Sequence, residues 1–121
     1  MVNFGPPSSI PPKFEGRLFY EHNPQVTLMR TTPKESAELG RILAEKVNLS
    51  TGPVSVLLPT EAISLVSAAG QPFHEPSADQ ALFSKIKEEL RDGVPCIEVA
   101  ASINDIAYSK AAAQTLLDLM S

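Results

Sequence analysis

The sequence predicts one α/β domain in which a mainly parallel sheet is flanked by helices. Three observations lead there: apolar residues at helical spacing in three segments, short β-branched apolar runs between them, and turn chemistry at the junctions. The order is strand, helix, strand, helix, strand, helix. Right-handed crossovers convert that alternation into a parallel sheet with helices on its faces.

Residues 1–15 hold Pro6, Pro7, Pro11 and Pro12 with Gly5, Ser8 and Ser9 between them. Proline fixes φ and removes a donor, so this segment reads as an extended arm leading into a domain at 16–121. Apolar and aromatic residues predict a short strand at 17–20. The first helix has Thr32 as N-cap, Pro33 at the first helical position and Glu35 to complete a capping box. Ala37, Leu39, Ile42, Leu43 and Val47 then recur at threes and fours. Gly40 inside that helix implies close packing on a neighbour, since it costs about 1 kcal/mol in helix propensity.

After a break at 48–52, Val54, Val56, Leu57 and Leu58 form an apolar run between Pro53 and Pro59. Such a run suits a strand buried on both faces, as in parallel sheets. A loop through Gly70, Pro72 and Pro76 follows. Ser77, with Gln80 as reciprocal partner, opens the second helix, whose apolar side is Leu82, Phe83, Ile86 and Leu90. Asp92-Gly93 ends it. Cys96, Ile97, Val99 and Ala100 make the third strand. The last helix starts near Asp105 and carries Ile106, Ala112, Ala113, Leu116, Leu117 and Met120.

Composition narrows the function classes. The 121 residues are 43% hydrophobic and 20% charged, with a net charge of −4, ordinary for a soluble globular chain. The ten basic residues are scattered, so the clustered Lys/Arg footprint of a nucleic-acid binder is missing. No apolar run approaches the roughly 20 residues that cross a bilayer, and no secretory signal pattern is present. One Cys and two His leave no internal disulfide and no zinc site, which points to a reducing, cytoplasmic setting.

Candidate chemistry concentrates in residues 22–35, HNPQVTLMRTTPKE. A helix N-terminus offers free N–H groups and partial positive charge to an anion, and Arg30, Thr31 and Thr32 stand beside the predicted start. In open α/β sheets ligands lie beyond the carboxyl ends of the strands. Three segments are expected on that edge: 21–32, 59–73 and 101–105. They would gather His22, Asn23, Arg30, Thr31, Thr32, Glu61, Ser64, Gly70, Asn104 and Asp105 at one rim. Each has a plainer role as well. His22 before Asn-Pro suits a turn, Arg30 suits an ion pair, Thr32 and Glu35 suit a cap, and Asn104-Asp105 suits the N-cap of the last helix. His74 reads as solvated and Cys96 as a small apolar filler. GxGxxG, Walker A and GxSxG motifs are all missing, so no self-contained catalytic set is identified.

VNFGP (2–6), HNPQVTLMRTT (22–32), GPVSVLLP (52–59), GQPFHEPSAD (70–79) and SIND (102–105), in that order, resemble the Tm-1-like, UPF0261 family over essentially the whole chain. The resemblance implies two stacked Rossmann-like α/β halves, each a three-layer sandwich, around a cleft that binds ATP with magnesium. It further implies that this chain is most of the second half, whose partner is the missing amino-terminal half of the same domain. The surface left open would alternatively serve a protein partner or a homo-oligomer. By motif, His22, Asn23, Arg30, Thr31, Thr32, Gly70, Asn104 and Asp105 carry over as ligand-binding candidates, and no catalytic residue does. The chain also departs from the pattern. Where the family loop reads close to PEKGVSALDAPG, this one reads PTEAISLVSAAG, with Glu61, Ala62, Ser67 and Ala69 in place of Lys, Gly, Asp and Pro. HINDP becomes SINDI, with Ser102 and Ile106. These changes remove a cation and a histidine from the rim.

Overall fold

A computed structural model describes residues 1–121 as a mixed α/β chain in two compact units, Met1–Thr32 and Pro33–Ser121.

In the first unit β1 (Val2–Phe4), β2 (Phe19–Asn23) and β3 (Val26–Met29) form an antiparallel sheet with β3 in the middle. Val2 pairs with Met29 on one side of β3, and Phe19 pairs with Met29 on the other. The expected proline arm is folded into this unit. Its first residues are β1, and Pro7–Ser9 and Pro12–Phe14 are single 3-10 turns, each beginning at a proline whose fixed φ suits that position. Phe4 and Phe14 meet with ring centroids 5.5 Å apart. The Asn23-Pro24 turn joins β2 to β3, with Asn23 Oδ1 accepting from the Gln25 N–H at 2.9 Å. The strand expected at 17–20 thus begins two residues later, and its partner is antiparallel. Such a hairpin needs only a tight turn, whereas a parallel neighbour needs a long crossover.

In the second unit come α1 (Pro33–Asn48), β4 (Val56–Pro59), α2 (Pro76–Glu89), β5 (Cys96–Val99) and α3 (Ile106–Met120). The strands β4 and β5 are parallel, with Val56 opposite Cys96 and Pro59 opposite Val99. The crossover between them is α2, as the alternation predicts. The Val56 N–H reaches the Pro95 carbonyl at 2.9 Å, and the Thr60 N–H reaches Val99 at 3.0 Å. Residues 56, 58 and 60 therefore face β5, and the backbone of 57 and 59 faces outward.

Leu58, Phe83 and Ile86 are the buried centre of this unit, with Val56, Ile63, Leu82, Leu90 and Cys96 packed around them. Helix α1 lies against α2, and Gly40 is the reason it fits. A Cβ there would sit 2.6 Å from the Leu82 carbonyl oxygen, so the two backbones meet at a point where only hydrogen is small enough. Asn48 then ties the two helix ends together, donating to Glu89 O and accepting from the Arg91 N–H, both at 2.8 Å.

Two capping expectations change. Pro76 takes the first position of α2 and Glu75 the N-cap, so Ser77 lies inside the helix. Its hydroxyl turns to Glu75, and Gln80 donates to Ser84 Oγ rather than back to a cap. Proline wins because its lost N–H is one the helix does not use there. Asp105 is the N-cap of α3, but its carboxylate makes no bond to the helix.

Candidate functional site

The carboxyl ends of β4 and β5 are knitted beyond the strands themselves. Glu61 N–H reaches the Ala101 carbonyl at 3.2 Å, Ala62 bridges Ser102, and Ile103 N–H reaches Ala62 O at 2.9 Å. Two of the three expected rim segments, 59–73 and 101–105, therefore meet along this edge.

The first of them is held by its own hydrogen bonds and two buried side chains. Leu65–Ser67 is a 3-10 turn, and Ser67 and Phe73 are fully buried. The Phe73 N–H donates to Val66 O at 2.8 Å, and the Ser67 hydroxyl donates to Ser64 O at 3.0 Å. Gly70, at the exposed tip, has φ +81°, a conformation that favours glycine, so the turn itself explains the residue. In the second segment the Asp105 carboxylate accepts from the Ser102 N–H at 2.8 Å while Asp105 N–H returns to Ser102 O at 2.9 Å. That closes a tight turn. Asn104 and Asp105 are both exposed beside it.

Between this rim and the start of α2 lies a pocket of about 340 Å³. Its polar lining is Thr60, Glu61, His74, Asp79, Gln80 and Glu98, with Pro76 and Phe83 supplying apolar surface. No Lys or Arg lines it. Glu98 is balanced by Lys87 at 2.8 Å. His74 Nδ1 lies 3.3 Å from the Ser67 carbonyl, an acceptor only, so Nδ1 is the donor in that contact. Coulomb repulsion disfavours a bare phosphate among three carboxylates and favours a cation or a cation-bound anion. Cys96 on β5 packs against the buried centre, and burial pushes its thiol above the ordinary range, which lowers its thiolate fraction.

The third expected segment, 21–32, is the β2–β3 hairpin of the first unit. Asn23 is at its turn, and His22 lies at the register shift between Glu21 and Asn23. Arg30 lies past the other end of β3, where its N–H bonds Leu18 O at 2.9 Å and its carbonyl accepts from Arg17 Nη2 at 3.0 Å. At about 3.3 Å per residue, the hairpin holds His22 and Arg30 roughly 13 Å apart. Arg30 and Thr31 are buried at 2% and 4% exposure, Thr32 is half-buried, and His22 and Asn23 are exposed.

Sequence reasoning missed Thr60, His74, Asp79, Gln80 and Glu98 as a group. The signal was topological: a crossover helix begins at the rim its preceding strand ends on, so its first turn belongs there.

The model of the carboxyl-terminal domain of the uncharacterised protein family UPF0261 matches residues 1–120. This chain belongs to the UPF0261 family. It is 38% identical to a UPF0261 protein of Clostridium tetani over 99% of its own length and 30% of that protein's. For the UPF0261 protein RA0729 of Rhizobium meliloti the figures are 40%, 98% and 30%. The tomato ToMV resistance protein Tm-1(GCR237) is 37% identical over 98% of this chain and 16% of its own. The UPF0261 domain described here thus spans less than a third of the length of these relatives.

Proposed function

We propose that this UPF0261 domain supplies one wall of a nucleotide- or phosphometabolite-binding cleft, which phosphates enter as a magnesium complex. In this reading β4 and β5 are a segment of a larger, mainly parallel Rossmann-like sheet. The observation that carries it is the pocket at the carboxyl edge of the β4–α2–β5 unit, where ligands of open α/β sheets bind. The chemistry of the lining supports magnesium as the accompanying ion. That ion is held by one or two carboxylates together with phosphate oxygens and water, and Glu61 and Asp79 offer the carboxylates. Magnesium would neutralise phosphate charge at a rim whose own side chains do not. Of the residues carried by family resemblance, His22, Asn23, Gly70, Asn104 and Asp105 are open to a ligand.

Calorimetry of this chain and of the intact Clostridium tetani relative with ATP tests it. Heat of binding should need magnesium, vanish with EDTA and weaken at least tenfold in Glu61→Ala of this chain. No heat and no thermal shift with magnesium–ATP from either protein would sink the idea. A second reading, a protein-interaction role without catalysis, is favoured by one observation: α3 buries none of its residues.

A further inference from the structure

The sheet of the second unit has one open edge and one closed edge. A parallel sheet of only two strands is well below the usual four to six, and parallel sheets are normally covered on both faces. On the outer edge of β4 the Leu57 carbonyl accepts from the Tyr108 hydroxyl at 3.0 Å, and Pro59 has no N–H to give. A strand pairing there would lose the Tyr108 bond and find no donor at residue 59. On the outer edge of β5 the backbone groups of Cys96 and Glu98 point away from β4 and take no backbone partner. Ile97, between them, is 39% exposed although it is strand-forming and apolar. Helix α3 follows directly, with Ile106, Leu116, Leu117 and Met120 between 57% and 75% exposed.

We infer that the outer edge of β5 accepts an extended strand from the amino-terminal part of a UPF0261 polypeptide, and that the same part covers the apolar face of α3. The occupant follows from lengths and charge. Relatives match nearly all of this chain yet are more than three times as long, so they carry a large further body tethered to this domain. Tethering turns a short strand pairing into a high-effective-concentration event. A second copy is the poorer occupant. Two-fold pairing of β5 with itself would offer four residues a side and bring Glu98 close to its own copy, an arrangement that like charges oppose. The inference stands apart from the nucleotide reading, although Glu98 belongs to both edge and pocket, so the added strand would border the pocket.

Amide hydrogen exchange tests it. In the 121-residue chain the Cys96 and Glu98 amides should exchange within about tenfold of unstructured rates. In a chimera of the Clostridium tetani protein carrying this chain in place of its matched segment, they should slow by more than about a hundredfold. Glu98→Pro removes one outward N–H. It should leave the melting temperature of the 121-residue chain nearly unchanged and lower that of the chimera. Should either variant fail to fold, the aligned amides of the intact Clostridium tetani protein are read instead, with protection expected. Fast exchange at both positions in the longer protein overturns the inference. So does protection in the isolated chain accompanied by a dimer in sedimentation, which would make a second copy the occupant.

Discussion

Helices α2 and α3 are nearly the same length, 14 and 15 residues, yet one is core and the other is veneer. Both show apolar residues at helical spacing. Ala78, Phe83 and Ile86 of α2 are buried, the last two against Leu58 of β4, whereas no residue of α3 is fully buried and two of its leucines are more than half exposed. Periodicity states which face of a helix wants cover. It does not state whether the cover belongs to the same stretch of chain. The apolar stripe of α3 is therefore better read as half of an interface than as a flaw in the fold.

Substitutions can break or sharpen this contrast. Phe83→Ala should cost about 3–4 kcal/mol in urea unfolding of the isolated chain, since it removes the largest side chain of the buried centre. Gly40→Ala comes next, at about 1–3 kcal/mol, because its methyl would meet the backbone oxygen of Leu82 at 2.6 Å and force α1 away from α2. Tyr108→Phe should lose about 1 kcal/mol with the hydrogen bond to Leu57. Leu117→Glu, on the bare face of α3, should change stability by less than about 0.5 kcal/mol. A loss there comparable to Phe83→Ala would show that α3 is packed in solution and would erase the contrast. Smallest of all is a rate: the Cys96 thiol should react with a disulfide reagent at pH 8 several-fold more slowly than free cysteine, because burial keeps it protonated.

How much of this was legible in the sequence follows the range of the forces involved. The helices were, because their signals are local: Pro33 begins α1 as expected, the 96–99 strand falls inside its apolar run, the 56–59 strand takes the end of its run and the bounding Pro59, and α2 connects them. The close approach at Gly40 was legible too, since a glycine amid good helix formers needs a packing reason. Strands β1 and β3 were not. Each is three or four residues long, and each exists only through partners elsewhere in the chain, so Val2–Phe4 reads as part of a proline-rich arm until Thr27 and Met29 are placed against it. The Asn23-Pro24 turn was visible without what it joined. At the rim, Glu61 was identified by loop position, but His74, Asp79 and Glu98 come from three separate segments and converge only in three dimensions.

The tie between Tyr108 and Leu57 also makes the molecule its own optical gauge. The chain has no tryptophan and two tyrosines, and these fall one to each unit: Tyr20 on β2 and Tyr108 at the head of α3. Absorbance and emission near the phenol bands therefore divide cleanly, and a Tyr20→Phe variant would report on the second unit alone. Burial pushes the Tyr108 phenol above its ordinary value. Its neutral form is thus favoured by folding, a contribution complete below about pH 10 and lost as the pH climbs past the raised value. An alkaline titration followed near 295 nm would record the moment that the bond to Leu57 lets go.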